Sequence, residues 1–283
     1  PYKRYDEYLK IEDKAIEGII SERPIKIHQK EMIWMGYNTG YCIWGGEMGT
    51  GKTLAMIELL EKVQPSTAWY IGPRSALESV KRELNKWDAQ VIPSLMTYEK
   101  LVSTMKSWGN LPAPQMIFFD ESSRLKNQKS QRSQAALHVA NAVRKEWGGN
   151  GFVICMTGTP APKSPVDWWH QAEVAQPGFL LEGSQDQLKK NLCLTEQRES
   201  ITGGMYPHIV TWRDDEAKCN LCGKVESEHG TAHKWQPMVN EVSRLYKRMD
   251  GLTKIWFKKD CIDLPEIIFE TIRIKPDIET LRT

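Results

Sequence analysis

Short apolar runs alternate with amphipathic stretches over the first 180 residues. The runs at 41–44, 67–71, 91–96, 116–119 and 152–156 are rich in aromatic and branched side chains, and each leads into a turn or a polar segment, which predicts strands. Between them, 52–63, 75–87, 98–107 and 131–146 carry helical spacing. In 75–87, for example, Leu77, Val80 and Leu84 fall on one face, with Lys81, Arg82 and Lys86 largely elsewhere. Strands that alternate with helices pair in parallel through right-handed crossovers, so the expected fold class is α/β, a parallel sheet sandwiched by helices. The opening 1–22 also reads as helical, with Tyr5, Tyr8, Ile11, Ile16 and Ile19 as its apolar side.

The alternation fades after about Phe179, and from Leu181 to Gly251 the chain is polar and Gly-bearing. The expected organisation is an N-terminal helical extension (1–24), an α/β lobe (25–180), a mostly helical insertion (181–252) and a return segment (253–283). Neither an internal repeat nor a low-complexity tract interrupts this plan.

Composition narrows the class. With 283 residues, 40% hydrophobic and 26% charged, the sequence is neither disordered nor collagen-like nor a disulfide-stapled miniprotein. Apolar runs fall short of the roughly 18–20 residues that cross a bilayer, and no signal peptide opens the chain. A soluble, cytoplasmic protein without a membrane partner is therefore expected. The net charge of +2 gives no global polycation, so any nucleic-acid contact must come from a local patch. Cys42 and Cys155 lie in apolar runs as small hydrophobes, and of the six cysteines only Cys219 and Cys222 are closely spaced, which suits a reducing compartment. A start at Pro1 and an end at Thr283 inside a strand-like phrase suggest a piece of a longer protein.

The strongest chemical signal is Gly46-Glu47-Met48-Gly49-Thr50-Gly51-Lys52-Thr53, which fits G-x-x-x-x-G-K-[ST] between an apolar strand and a helical pattern. Glycines let backbone N–H groups surround phosphate oxygens, and the helix N-terminus adds partial positive charge. In such a loop Lys52 reaches the β/γ-phosphates and the Thr53 hydroxyl ligates Mg²⁺. The plainer alternative is a Gly-rich turn that binds nothing. The second signal, Met116-Ile117-Phe118-Phe119-Asp120-Glu121, is an apolar strand ending in two carboxylates. Such a strand is expected beside the P-loop strand, with Asp120 holding Mg²⁺ and Glu121 orienting and deprotonating the attacking water. The chemistry implied is hydrolysis of a nucleoside triphosphate, with Lys52, Asp120 and Glu121 as its catalytic groups.

The text around these signals is more specific. Asp120-Glu121-Ser122-Ser123-Arg124-Leu125-Lys126-Asn127 resembles motif II of the Swi/Snf-type branch of superfamily 2 helicases, where Asp-Glu-Ala-His-Arg-Leu-Lys-Asn is usual. Ile27-His28-Gln29 resembles that family's adenine-reading glutamine motif, and Glu47–Thr53 its motif I. Ile71-Gly72-Pro73-Arg74-Ser75-Ala76-Leu77, with Trp87 beyond it, resembles motif Ia, and Met96-Thr97-Tyr98-Glu99 resembles motif Ib. Met156-Thr157-Gly158-Thr159-Pro160 resembles motif III.

The resemblance runs from about Arg23 to Leu180 and returns at Asp263-Leu264-Pro265-Glu266, similar to the start of the family's second RecA-like lobe. It implies a first RecA-like lobe of an ATP-driven double-stranded DNA translocase, with nucleotide contacts from Gln29, Gly46, Gly49, Thr50, Gly51, Lys52 and Thr53. It also implies DNA contacts from Pro73, Arg74, Ser75, Thr97 and Tyr98, and coupling through Thr157, Gly158 and Thr159. Motifs IV to VI are missing from this chain, so a second lobe of the same protein is the implied partner, with a nuclease or a replication or recombination protein beyond it. Thr159-Pro160-Ala161-Pro162 and the small insertion look closer to compact phage helicases than to eukaryotic remodellers, which would place the protein in a bacterial or phage-infected cell. Ser122-Ser123 departs from the usual Ala-His, so the contact that His makes to motif III is lost or supplied differently.

Two further readings stand apart from the resemblance. Between Ser122 and Lys145 there is no acidic residue, while Arg124, Lys126, Lys129, Arg132, Arg144 and Lys145 are basic; this is either a phosphate-facing patch or a solvated helix face. Cys219-x2-Cys222-x6-His229-x3-His233 supplies four donors suited to tetrahedral Zn²⁺, in a structural site with no open position. The alternative is two unrelated pairs. His28, His138, His170 and His208 lack such partners and read as ordinary side chains. A second class of function stays open beside the motor: an ATP-binding switch that signals through the zinc annex without translocating.

Overall fold

A computed structural model describes residues 19, 21–109, 111–159, 161, 164–200, 203–213 and 241–262. Over the first part of the chain it alternates as expected: α1 (Ile27–Thr39), β1 (Tyr41–Gly46), α2 (Lys52–Val63), β2 (Ala68–Gly72), α3 (Arg74–Lys86), β3 (Ser94–Thr97), α4 (Tyr98–Lys106), β4 (Met116–Asp120), α5 (Gln131–Trp147) and β5 (Phe152–Met156). There follow α6 (Trp168–Ala175), α7 (Gln185–Leu192), β6 (Cys193–Glu199), β7 (Met205–Trp212), α8 (Glu241–Met249), β8 (Thr253–Trp256) and α9 (Lys258–Cys261).

Six strands form one parallel sheet in the order β3-β2-β4-β5-β1-β8. Its two faces follow from the two-residue period of the strands. On β4, Met116 and Phe118 pack with Cys42, Trp44, Met56 and Leu59 toward α1, α2 and α3. Ile117 and Phe119 turn the other way and pack with Leu101, Val139, Ala140 and Trp168 of α4, α5 and α6. Burial on both faces explains why these strands read as unbroken apolar runs, and the fold class is α/β as expected.

Two expectations are corrected. The acidic strand does not lie beside the P-loop strand: β5 sits between β4 and β1, pairing Ile154 with Cys42 and with Phe118. The described part of 181–252 is not mostly helical, because β6 and β7 form an antiparallel ribbon there, broken by an irregularity at Leu194/Thr195. The chain then returns to the sheet as β8, parallel to β1 from Ile43 opposite Thr253 to Gly46 opposite Trp256. The helical reading of 1–22, the phrase at Asp263–Glu266 and the four zinc-type residues Cys219, Cys222, His229 and His233 lie outside the described residues. Among the described residues no helix is long and apolar enough to cross a membrane.

Candidate nucleotide site at the carboxyl edge of the sheet

Register places the sequence signals along one edge. Trp44 of β1 stands opposite Met156 of β5, and Met156 opposite Asp120 of β4. The segments that follow β1, β5 and β4 (the glycine-rich loop, Thr157–Thr159 and Glu121) therefore emerge together at the carboxyl ends of parallel strands, where open α/β sheets bind ligands. Thr157 N–H donates to Trp44 O at 3.0 Å, and Thr159 N–H to the Thr157 hydroxyl at 3.1 Å. A Cβ on Gly158 would sit 3.4 Å from the Met48 nitrogen, so this segment lies against the loop itself.

The loop is shaped by its glycines and gripped from behind. Gly49 and Gly51 hold φ of 89° and 79°, the left-handed region that a side chain resists. At Gly51 a Cβ would also come within 2.2 Å of Gln29 Nε2. Gln29 Nε2 donates to Gly51 O at 3.0 Å, while its Oε1 accepts from Lys26 N–H at 2.8 Å. His28 Nε2 lies 2.7 Å from Thr50 O, so that nitrogen carries the proton. The Thr50 and Gly51 carbonyls are thereby occupied on the α1 side, as suits a loop that offers N–H groups to an anion on its other side. Gln29 thus ties the N-terminus of α1 to the loop, one polar end on each. His28, read as ordinary, proves to be a second brace; its neighbour in the glutamine phrase was the only sequence signal for it.

Lys52 opens α2 and folds back onto the loop, its Nζ donating to Gly46 O at 2.5 Å and Glu47 O at 3.3 Å. Burial lowers its pKa, and Asp120 and Glu121 oppose that shift, so ammonium and carboxylates lie within one another's field. Asp120 is heavily engaged. Tyr70 of β2 donates its hydroxyl to Oδ2, and Glu121 N–H donates to Oδ1 at 3.0 Å. Burial, then the Asp120 charge, push the Tyr70 phenol well above its ordinary pKa, which keeps it a donor. Glu121 sits at φ 49° and ψ 50°, an unusual conformation for a side-chain-bearing residue. Burial first and Asp120 second raise its pKa, with Lys52 and Arg124 countering. Two adjacent carboxylates with different surroundings, beside one ammonium, can hold a cation through one and a polarised water through the other. Thr53, in the first turn of α2, is half-buried.

The residues expected to touch DNA divide. Pro73 and Thr97 are half-buried, and Arg74, Ser75 and Arg124 are exposed, all at or just past the ends of β2, β3 or β4 on the same sheet edge. Tyr98 does not join them. It is 1% exposed and its hydroxyl donates to Asp120 O at 2.7 Å, making it a support for the acidic strand. Lys126 pairs with Asp167 at 3.1 Å, and Arg144 donates to Glu173 O and Val174 O. The basic run therefore presents fewer free charges than its sequence promised. Ser122, where the related motif has Ala, is fully buried and donates to Gln171 Oε1 of α6 at 2.9 Å. Among the described residues no group of three or more His, Cys, Asp and Glu side chains gathers as a metal site.

A parallel α/β sheet with this loop at its carboxyl edge and an acidic strand two places away defines a P-loop domain. No family model matches the chain. The chain is 26% identical over 281 residues to the Zorya protein ZorD of Escherichia coli O139:H28, an alignment that covers 78% of this chain and 24% of that protein. It therefore spans about a quarter of the length of that relative. Among solved structures it is similar to the Sulfolobus solfataricus SWI2/SNF2 ATPase core in complex with dsDNA (22% identity, TM-score 0.48, 61% of this chain and 39% of that one). It is similar also to the Pyrococcus furiosus Hef helicase domain (14% identity, TM-score 0.43, 62% and 42%).

Proposed function

We propose that this chain is the ATP-binding lobe of a Swi/Snf-type, ATP-dependent motor acting on double-stranded DNA. The observation that carries the reading is the gathering of the glycine loop, Lys52, Asp120 and Glu121 at one edge of the sheet, near enough for their charges to act on one another, with Thr157–Thr159 against the loop. ATP would lie with its phosphates in the loop, where Lys52 exchanges the Gly46 and Glu47 carbonyls for phosphate oxygens. The Thr53 hydroxyl and Asp120 carboxylate form an all-oxygen donor set that suits Mg²⁺, which when bound would neutralise the terminal phosphates. Glu121 accepts the proton of the attacking water as its oxygen bonds to the γ-phosphorus and the bond to the β-phosphate oxygen breaks. The raised Glu121 pKa makes it a better base than a solvated carboxylate.

Duplex contacts are assigned to Pro73, Arg74, Ser75 and Thr97, which the motif resemblance implies, and to Arg124 of the basic run, and the likeness to a longer bacterial ZorD protein fits a lobe of a longer chain. The transition-state charge would be met by an arginine on a second lobe, so this chain alone should turn over slowly, by a factor of about 10³–10⁵. Cys219, Cys222, His229 and His233 form a donor set suited to a structural Zn²⁺ clasp in the insertion. Metal analysis should find one equivalent of zinc, lost in Cys219→Ser with ATP binding retained.

The decisive experiment measures ATPase activity of the longer protein with and without duplex DNA. DNA stimulation that Lys52→Ala abolishes is expected. ATP binding without stimulation at any DNA concentration would instead indicate a nucleotide switch signalling through the annex.

A further inference from the structure

The loop that would hold phosphates has a third neighbour besides α1 and the Thr157–Thr159 segment, and it comes from 211 positions beyond Glu47 in the chain. Strand β8 carries residues 253–256 alongside β1, and the pairing continues past both strands, where Glu47 N–H donates to Trp256 O at 3.0 Å. The Glu47 carboxylate then reaches across to accept the Lys258 backbone N–H at 2.6 Å. These two bonds fix the root of Lys258 beside the second residue of the loop. Its side chain then runs along Gly49: a Cβ there would lie 3.5 Å from Lys258 Cε and 3.7 Å from Nζ. Gly49 has no side chain, so the ammonium reaches the loop across its bare backbone.

The neighbouring cations are committed elsewhere. Lys254 pairs with Glu31 at 2.7 Å, and Lys259 stands over the Phe257 ring at 5.9 Å. Lys52 donates to the loop's own carbonyls. Among the described residues the Lys258 ammonium makes no ion pair, although it is half-buried against a loop built for anions. We infer that Lys258 is a second phosphate-binding lysine of the nucleotide site, placed by Glu47 and supplied by the segment that follows β8. This rests on the reading of the loop as an ATP site.

Equilibrium titration of this chain with ATP and with AMP, both with Mg²⁺, tests it. Lys258→Met keeps the apolar stem and should weaken ATP binding about tenfold, the scale of one lost charge-assisted hydrogen bond, with AMP changed less than twofold. Lys258→Arg should restore most of the ATP affinity. ATP binding that Lys52→Ala abolishes but Lys258→Met leaves untouched overturns the role of Lys258 alone. Equal weakening of ATP and AMP by Lys258→Met also overturns it, since that marks a general disturbance of the loop. A wild-type chain that ignores ATP overturns the nucleotide-site reading itself, and this inference with it.

Discussion

At the scale of single residues, the acidic pair shows how a site stores cost. Glu121 holds a left-handed backbone, is partly desolvated and stands beside the Asp120 charge. Replacing it by Gln removes charge and repulsion while keeping shape. Glu121→Gln should therefore raise the urea midpoint slightly, solvent screening of this half-exposed side chain keeping the gain small, while ATP binding stays intact and any ATP hydrolysis of the parent is lost. His170 makes the opposite kind of demand. It is 2% exposed, burial lowers its pKa to about 4 and, among the described residues, its Nδ1 has no partner. The unfolded chain then binds a proton that the folded chain refuses between pH 6.5 and pH 4. Stability from this residue is fully present above that window and falls as pH falls through it, by up to about 3 kcal/mol. Urea midpoints measured across the window should show a shallower pH slope for His170→Gln than for the parent.

At the scale of elements, what the sequence revealed depended on whether one segment's pattern decided its fate. The strands β1, β2, β4 and β5 were legible because burial on both faces demands unbroken apolar runs; β3, expected at 91–96, forms only at Ser94–Thr97, ending where the Thr97 hydroxyl caps the next helix by accepting from Lys100 N–H. The glycine loop and the acidic pair were legible because their chemistry is local. Partnership across the sheet was not. Nothing in Met116–Glu121 says that β5 intervenes before β1, and nothing in the Tyr98 phrase says that its ring turns inward. The ribbon β6–β7 was missed because Thr195–Glu199 is exposed along its length and carries no alternation. Strand β8 was missed because four residues, TKIW, are too short to show a period. Yet that strand is well anchored: Trp256 is 4% exposed and its Nε1 donates to Glu31 at 2.6 Å. Trp256→Ala should cost about 3–5 kcal/mol in chemical denaturation, as for other large core truncations.

At the scale of the whole molecule, the sheet is assembled from two distant stretches of chain. Strand β1 receives its inner neighbour from residues near 154, but its outer neighbour waits for residues 253–256, and the Thr253 hydroxyl that donates to Ile43 O bridges 210 positions. Contacts of such separation form late, because loop closure must precede any reward. During synthesis the ribosome will have released the glycine loop and its acidic partners well before TKIW emerges. In that interval the strand leading to the loop has one open edge, a template for pairing with another unfinished chain. A nascent lobe of this design has reason to need a chaperone until its last strand arrives.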